Sequence, residues 1–224
     1  MLFALFVEGR NDFYFFREVI KTYKNYQPGN DDCDWRVLYL LNYFKTSKTI
    51  VLKKNNDFLV IIQGRGKHDA TGTFLYMMKE FLNNVIVAKS ILIIDSDKSP
   101  DPKNSIFEKI FQQKIHNLEK DKPKSFKRLL YTKLKSYPKE LEIGIMDICP
   151  NLEIILSTFL RKYNVIPTPL TQEPDPHTVI DNAITNLKLD SYEDFCTYLV
   201  SQKNKELETE LNQLCLLDTL CKIL

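Results

Sequence analysis

Ser90-Ile91-Leu92-Ile93-Ile94-Asp95-Ser96-Asp97 is the stretch on which the reading of this chain turns. Its apolar run is short and unbroken, as a strand buried on both faces requires, and it stops at carboxylates. Alternation along an extended segment sends Asp95 and Asp97 to the same side. A second run of this kind, Leu2-Phe3-Ala4-Leu5-Phe6-Val7, is broken by Glu8-Gly9-Arg10. Ligands of parallel α/β sheets gather just past the carboxyl ends of the strands. If the two strands are neighbours, Glu8, Asp95 and Asp97 converge. Like charges that close are costly without a cation, and hard oxygen ligands suit Mg²⁺ or Mn²⁺.

Working outward, Asn11 or Asp12 can cap a helix in which Phe13, Phe16, Val19, Ile20 and Tyr23 share one face. Residues 35–44 are apolar but fit neither period. Residues 49–52 and 58–62 flank Lys53-Lys54-Asn55-Asn56-Asp57, a hairpin pattern in which Asn supplies the positive φ of a tight turn. A glycine-containing loop, 63–67, precedes a helix over 74–82. Further helical patterns cover 105–118 and 152–160, with a strand candidate at 141–146 between them. Four prolines in Ile166–Pro176 mark a linker, and helical patterns fill 178–187, 192–202 and 206–224. Strands alternating with helices predict an α/β, Rossmann-like, mostly parallel sheet over 1–165, followed by a C-terminal helical region over 166–224. Leu207, Leu211, Leu214, Leu217 and Leu220 lie near helical spacing, which serves packing within the chain or a homodimer through these helices.

The 224 residues suffice for one α/β unit with a small appendage, and 44% hydrophobic with 27% charged residues is the balance of a soluble globular protein. A net charge of +2 averages an uneven distribution: 114–139 is basic, and the stretch from Thr171 onward is acidic. Five scattered cysteines without a C-x-x-C pair argue against a disulfide framework or a Cys zinc site, and for a reducing compartment. The apolar N-terminus is too short for a signal peptide or membrane span. A cytoplasmic location is the expectation, with no membrane partner.

Val7-Glu8-Gly9-Arg10-Asn11-Asp12 after an N-terminal strand, with Ile91-Leu92-Ile93-Ile94-Asp95-Ser96-Asp97 much later, resembles the Toprim domain over residues 1 to 165. That domain occurs in topoisomerases, bacterial primases, OLD-family nucleases, recombination proteins and a ribosomal-RNA maturase. The resemblance implies the Toprim version of the fold and Mg²⁺- or Mn²⁺-dependent phosphodiester chemistry. Glu8 matches the family glutamate, proposed as general acid or base or as metal ligand, and Asp95 and Asp97 match its D-x-D metal ligands. Asp12 matches a further acid of OLD-type nucleases, Glu153 a Leu-Glu pair beyond the third strand, and Gly9 a glycine that permits a sharp turn. After Asp97 the chain departs from the pattern: Lys98-Ser99-Pro100-Asp101 lacks the glycine or third nearby acid of many members.

Other families end an apolar strand in D-x-D, among them haloacid-dehalogenase-type phosphatases, sugar-nucleotide enzymes and, more loosely, Walker B proteins. Gly64-Arg65-Gly66-Lys67 lacks the glycine spacing and the following Ser or Thr of a P-loop, and a dehalogenase would carry its nucleophile near the N-terminus, where Glu8 stands. A topoisomerase or primase needs more chain than the tail offers. The expectation is therefore a metal-dependent nuclease on DNA or RNA, the alternative a non-catalytic nucleic-acid-binding scaffold in DNA repair or RNA processing. Arg65 and Lys67 are candidates for phosphate contact, and Lys120, Lys122, Lys124, Lys127 and Arg128 for sequence-blind backbone contact. The tyrosines and phenylalanines fall mostly at helix-face or strand positions, which reads as core rather than as base-stacking platforms.

Overall fold

The computed structural model describes residues 1–29, 34–84, 88–96, 108, 119–120, 124–126, 128–136, 139–165 and 175–224. The two apolar runs form strands β1 (Leu2–Val7) and, later in the chain, β5 (Lys89–Asp95); they pair in parallel, with Leu5 opposite Ile91. Helix α1 (Arg10–Tyr23) leads to the short β2 (Gln27–Pro28), and α2 (Trp35–Tyr43) to the hairpin of β3 (Thr49–Lys54) and β4 (Asp57–Gln63). Asn55 takes φ 54° at the hairpin turn, the conformation for which asparagine is suited. Helix α3 (Lys67–Asn84) precedes β5. Then come β6 (Glu119–Lys120), β7 (Lys124–Phe126), β8 (Leu129–Ser136) and β9 (Lys139–Ile148). Helices α4 (Leu152–Lys162), α5 (Pro176–Asn186), α6 (Tyr192–Gln202), α7 (Asn204–Gln213) and α8 (Leu216–Ile223) complete the chain.

The sheet order is β2-β3-β4-β1-β5-β9-β8-β6, with β7 paired to β8. Its centre, β4-β1-β5-β9, is parallel, and both flanks are antiparallel. This is the expected α/β, Rossmann-like arrangement. Period-2 alternation divides β1 cleanly. Leu2, Ala4 and Phe6 join Val37, Leu40, Phe44, Phe74, Met77 and Met78 under α2 and α3. Phe3, Leu5 and Val7 face the other way, into a larger core with α1 and α4 through α8.

Residues 35–44, undecided from sequence, are helical because tertiary contacts choose for them. Val37, Leu40 and Phe44 are buried, and Asp34 caps the helix by accepting the Arg36 N–H at 3.0 Å. Sequence patterns missed β8, whose alternation is masked by lysines. The single helix expected over 206–224 is two, because Cys215 adopts φ 59° between α7 and α8. The helix expected over 105–118 and the linker residues 166–174 lie outside the described residues, Glu108 aside.

The C-terminal helices are not a separate body. Val179, Ile180, Phe195, Leu199, Leu207, Leu211, Leu217 and Leu220 are buried in one core with Phe13, Phe15, Phe16 and Val19 of α1. The leucine stripe is thus used within this chain. Arg17 fastens the layer, its Nε 2.6 Å from Glu18 Oε1 and its Nη1 2.6 Å from Glu193 Oε1 of α6. Among the described residues no helix is long and apolar enough to cross a membrane.

Candidate metal centre

Because β1, β5 and β9 run parallel and in register, their carboxyl ends meet at one edge of the sheet, with Asp95 opposite Ile148. Glu8 leaves the end of β1 and Asp95 ends β5. The two are adjacent: the Asp95 N–H donates to Glu8 Oε2 at 3.2 Å. Asp95 is itself buried, and its Oδ1 accepts the Leu152 N–H at 3.3 Å, at the start of α4. A carboxylate held at a helix N-terminus by a backbone donor is favoured by the helix dipole.

Asp12 stands in the first turn of α1 and accepts the Gly9 N–H at 2.9 Å, so it closes that helix start as expected. Asn11 does not cap; its Nδ2 donates to Glu153 Oε1 at 2.9 Å, which draws α4 to α1. Gly9 is a correction to the sequence reading. Its φ of −142° is extended backbone open to any residue, and an added Cβ would meet only Asp12 Oδ2 at 3.5 Å. The glycine the edge does need is Gly66, at φ 102°, whose N–H bonds the Glu8 carbonyl at 2.9 Å. Immediately after it, Lys67 donates from Nζ to the Asp95 carbonyl oxygen, setting a cation beside the carboxylates.

Electrostatics record the crowding. The Asp12 carboxyl is pushed well above the usual range, first by burial and then by the charges of Asp95, Glu153 and Glu8, while the Gly9 N–H pulls the other way. The Tyr192 hydroxyl, from α6, is also pushed well up, chiefly by burial and further by Cys196, Asp12 and Glu153. A folded-state value above the unfolded one means that protonated Asp12 stabilises the fold. That contribution is complete below the ordinary Asp value of about 4 and is lost as pH rises through the raised value. In EDTA, urea titrations should therefore show wild type losing up to about 1.4 kcal/mol per pH unit across that window relative to Asp12→Asn. Parallel pH profiles for the two proteins would mean that Asp12 does not sit among those charges.

Glu8, Asp12, Asp95 and Glu153 are thus brought to one edge, whereas Asp97 lies outside the described residues. The donors are all hard carboxylate oxygens, which fit a divalent cation such as Mg²⁺ in kind. Among the described residues, however, no group of three or more His, Cys, Asp or Glu side chains is arranged to hold a metal ion outright. Sequence reasoning missed Asp147, at the end of β9, whose Oδ2 accepts from Ser96 Oγ at 3.4 Å. Ile143-Gly144-Ile145-Met146-Asp147 repeats the apolar-run-then-carboxylate signal of the other two strands, and that signal could have found it.

The basic candidates divide. Arg65 is exposed beside the edge, with Nη2 3.3 Å from the Thr46 carbonyl. Lys124 is exposed on β7, beyond β9 and β8 from the carboxylates. Lys120 lies on β6, paired with Leu134 of β8, while Lys122 and Lys127 lie outside the described residues. Arg128 donates from Nε to the Leu214 carbonyl at 2.6 Å, at the end of α7.

Fold and edge together define an α/β protein with a parallel central sheet and carboxylates gathered at its strand ends. No protein-family model matches the chain, and no curated protein does either. Among solved structures it is similar to the crystal structure of the hypothetical protein PH0156 from Pyrococcus horikoshii OT3. The TM-score is 0.67 at 16% identity, covering 99% of this chain and 98% of that one. At that identity the likeness concerns the fold alone, over its whole length.

Proposed function

We propose that this chain is a Toprim-type enzyme that performs Mg²⁺- or Mn²⁺-dependent phosphodiester cleavage on nucleic acid. The observation that carries the reading is the meeting of Glu8 and Asp95 at adjacent parallel strand ends, one hydrogen bond apart. The Toprim resemblance assigns the family glutamate to Glu8 and the first metal-binding aspartate to Asp95. Asp95 and Asp97, with Asp12 and Glu153, are the residues that would hold the cation. A bound cation supplies neutralisation of phosphate charge and of the charge that develops as the ester bond breaks. Glu8 takes or gives the proton, Lys67 holds the Asp95 backbone in position, and Arg65 offers a phosphate contact beside them.

Stability and cleavage test this together. Mg²⁺ at a hundredfold excess over its dissociation constant should add about 2.7 kcal/mol to the wild-type stability and close to nothing to Asp95→Asn. With labelled single- and double-stranded DNA and RNA, wild type should cut in Mg²⁺ or Mn²⁺ while Glu8→Ala and Asp97→Ala do not. Equal cleavage by all three proteins would identify a contaminant and remove the enzyme reading. Metal-dependent stabilisation with nucleic acid bound but uncut would instead favour the scaffold alternative.

A further inference from the structure

On the other face of the sheet, α2 and α3 leave an open groove of about 520 Å³. Trp35, Tyr39 and Tyr43 recur every fourth residue, so they form one stripe of α2. His68, Gly72 and Tyr76 do the same on α3. Where the stripes face each other the rings lie nearly parallel. Tyr43 and Tyr76 are 5.9 Å apart at 21°, and Tyr39 and Tyr43 are 6.4 Å apart at 19°. Unlike Phe6, Phe44 and Phe74, which meet edge to face in the core, these rings are turned outward: Trp35 is 65% exposed, Tyr76 56% and Tyr39 37%. The sequence reading, which assigned the aromatics to the core, missed this because the stripe lies opposite Val37 and Leu40, the residues that hold α2 down.

Two further features mark the groove as a site. Gly72 lines it, and an added Cβ there would meet nothing within 4 Å, although a glycine in a helix interior is unfavourable by about 1 kcal/mol relative to alanine. Its mouth carries Arg65 and His68, with Asp69 engaged by the Arg65 N–H at 2.9 Å. Arg65 sits between Gly64, bonded to the Val7 carbonyl, and Gly66, bonded to the Glu8 carbonyl. The groove therefore opens onto the loop that borders the carboxylates.

We propose that the groove between α2 and α3 binds a single-stranded stretch of nucleic acid, its bases stacked on Tyr76 beside Tyr43 and its backbone met by Arg65, and leads it toward the strand-end carboxylates. Flat rings beside the Arg65 guanidinium suit a base of any kind. Arg65 at the same groove adds the positive charge that a phosphate backbone meets. The proposal rests on the nucleic-acid reading above and gives it a strandedness.

The test is fluorescence anisotropy in EDTA, where cleavage does not interfere, with oligothymidylate and oligouridylate of about 12 nucleotides and a duplex of equal length. Wild type should bind either single strand more tightly than the duplex. Tyr76→Ala should weaken that binding about tenfold, and Tyr76→Phe should keep it. Gly72→Gln fills the groove without harming the helix and should weaken it similarly. Unchanged binding in Tyr76→Ala and Gly72→Gln, equal preference for duplex, or no binding at all would overturn the proposal. So would self-association that Tyr76→Ala abolishes in the absence of oligonucleotide binding, which assigns the face to protein contact. Because these readings need no metal, they stand apart from cleavage: binding without cutting keeps this proposal and removes the enzyme reading alone.

Discussion

Phe6→Ala is expected to cost the fold about 3–5 kcal/mol, a large part of the 5–15 kcal/mol typical of a whole domain. Phe6 is buried on the α2–α3 side of β1 and meets Phe44 and Phe74 edge to face, each ring centroid 5.6 Å away. Removing the ring leaves a cavity bounded by a strand paired on both sides and by two helices, none of which can collapse freely into it. The urea midpoint should fall with its slope unchanged. A loss under about 1 kcal/mol would mean that this layer is not packed as described.

Gly64→Ala is the second large effect, and it reaches the candidate site as well as the fold. A Cβ there would lie 2.6 Å from Ala70 Cβ, 2.9 Å from its Cα and 3.0 Å from its nitrogen. Backbone cannot swing aside as a side-chain tip can, so the first turn of α3 must shift. Overpacking of this kind costs about 1–3 kcal/mol. Gly144 makes the contrast, since its closest neighbours are the terminal methyl groups of Ile91 and Leu129, which can rotate away. A shift in α3 displaces Gly66 and Lys67, which touch Glu8 and Asp95, and a 1 Å misplacement near reacting groups can cost about a hundredfold in rate. Ala70→Gly should restore part of the lost stability by removing the nearest clash. No recovery in the double variant would place the strain elsewhere.

The centre of the fold was legible because its strands are pure. Leu2–Val7 and Lys89–Asp95 sit between parallel neighbours, and such strands need apolar residues on both faces, a pattern few other structures require. The edge was harder. Strand β8 carries Lys133 and Lys135 among apolar residues, and the same composition suits a solvated loop. Glu8 and Asp95 could be paired in advance because carboxylates that follow buried strands have few other roles. Asp147 carries that signal too, but it falls one residue beyond the strand that the apolar run suggested. The Arg128 bond to the Leu214 carbonyl could not have been read, since charge alone does not say which helix end a cation meets. Nor could the groove, since exposure of the α2 aromatics depends on which side of that helix Val37 and Leu40 bury.

The helices beyond residue 175 share their apolar core with α1, and α1 begins at Asp12's own turn. Peeling them off would uncover part of α1, the very segment that carries a carboxylate of the site. The tail and the carboxylate edge therefore share one core, and a cut in the proline-rich stretch after α4 would leave that face of the sheet covered by α1 and α4 alone.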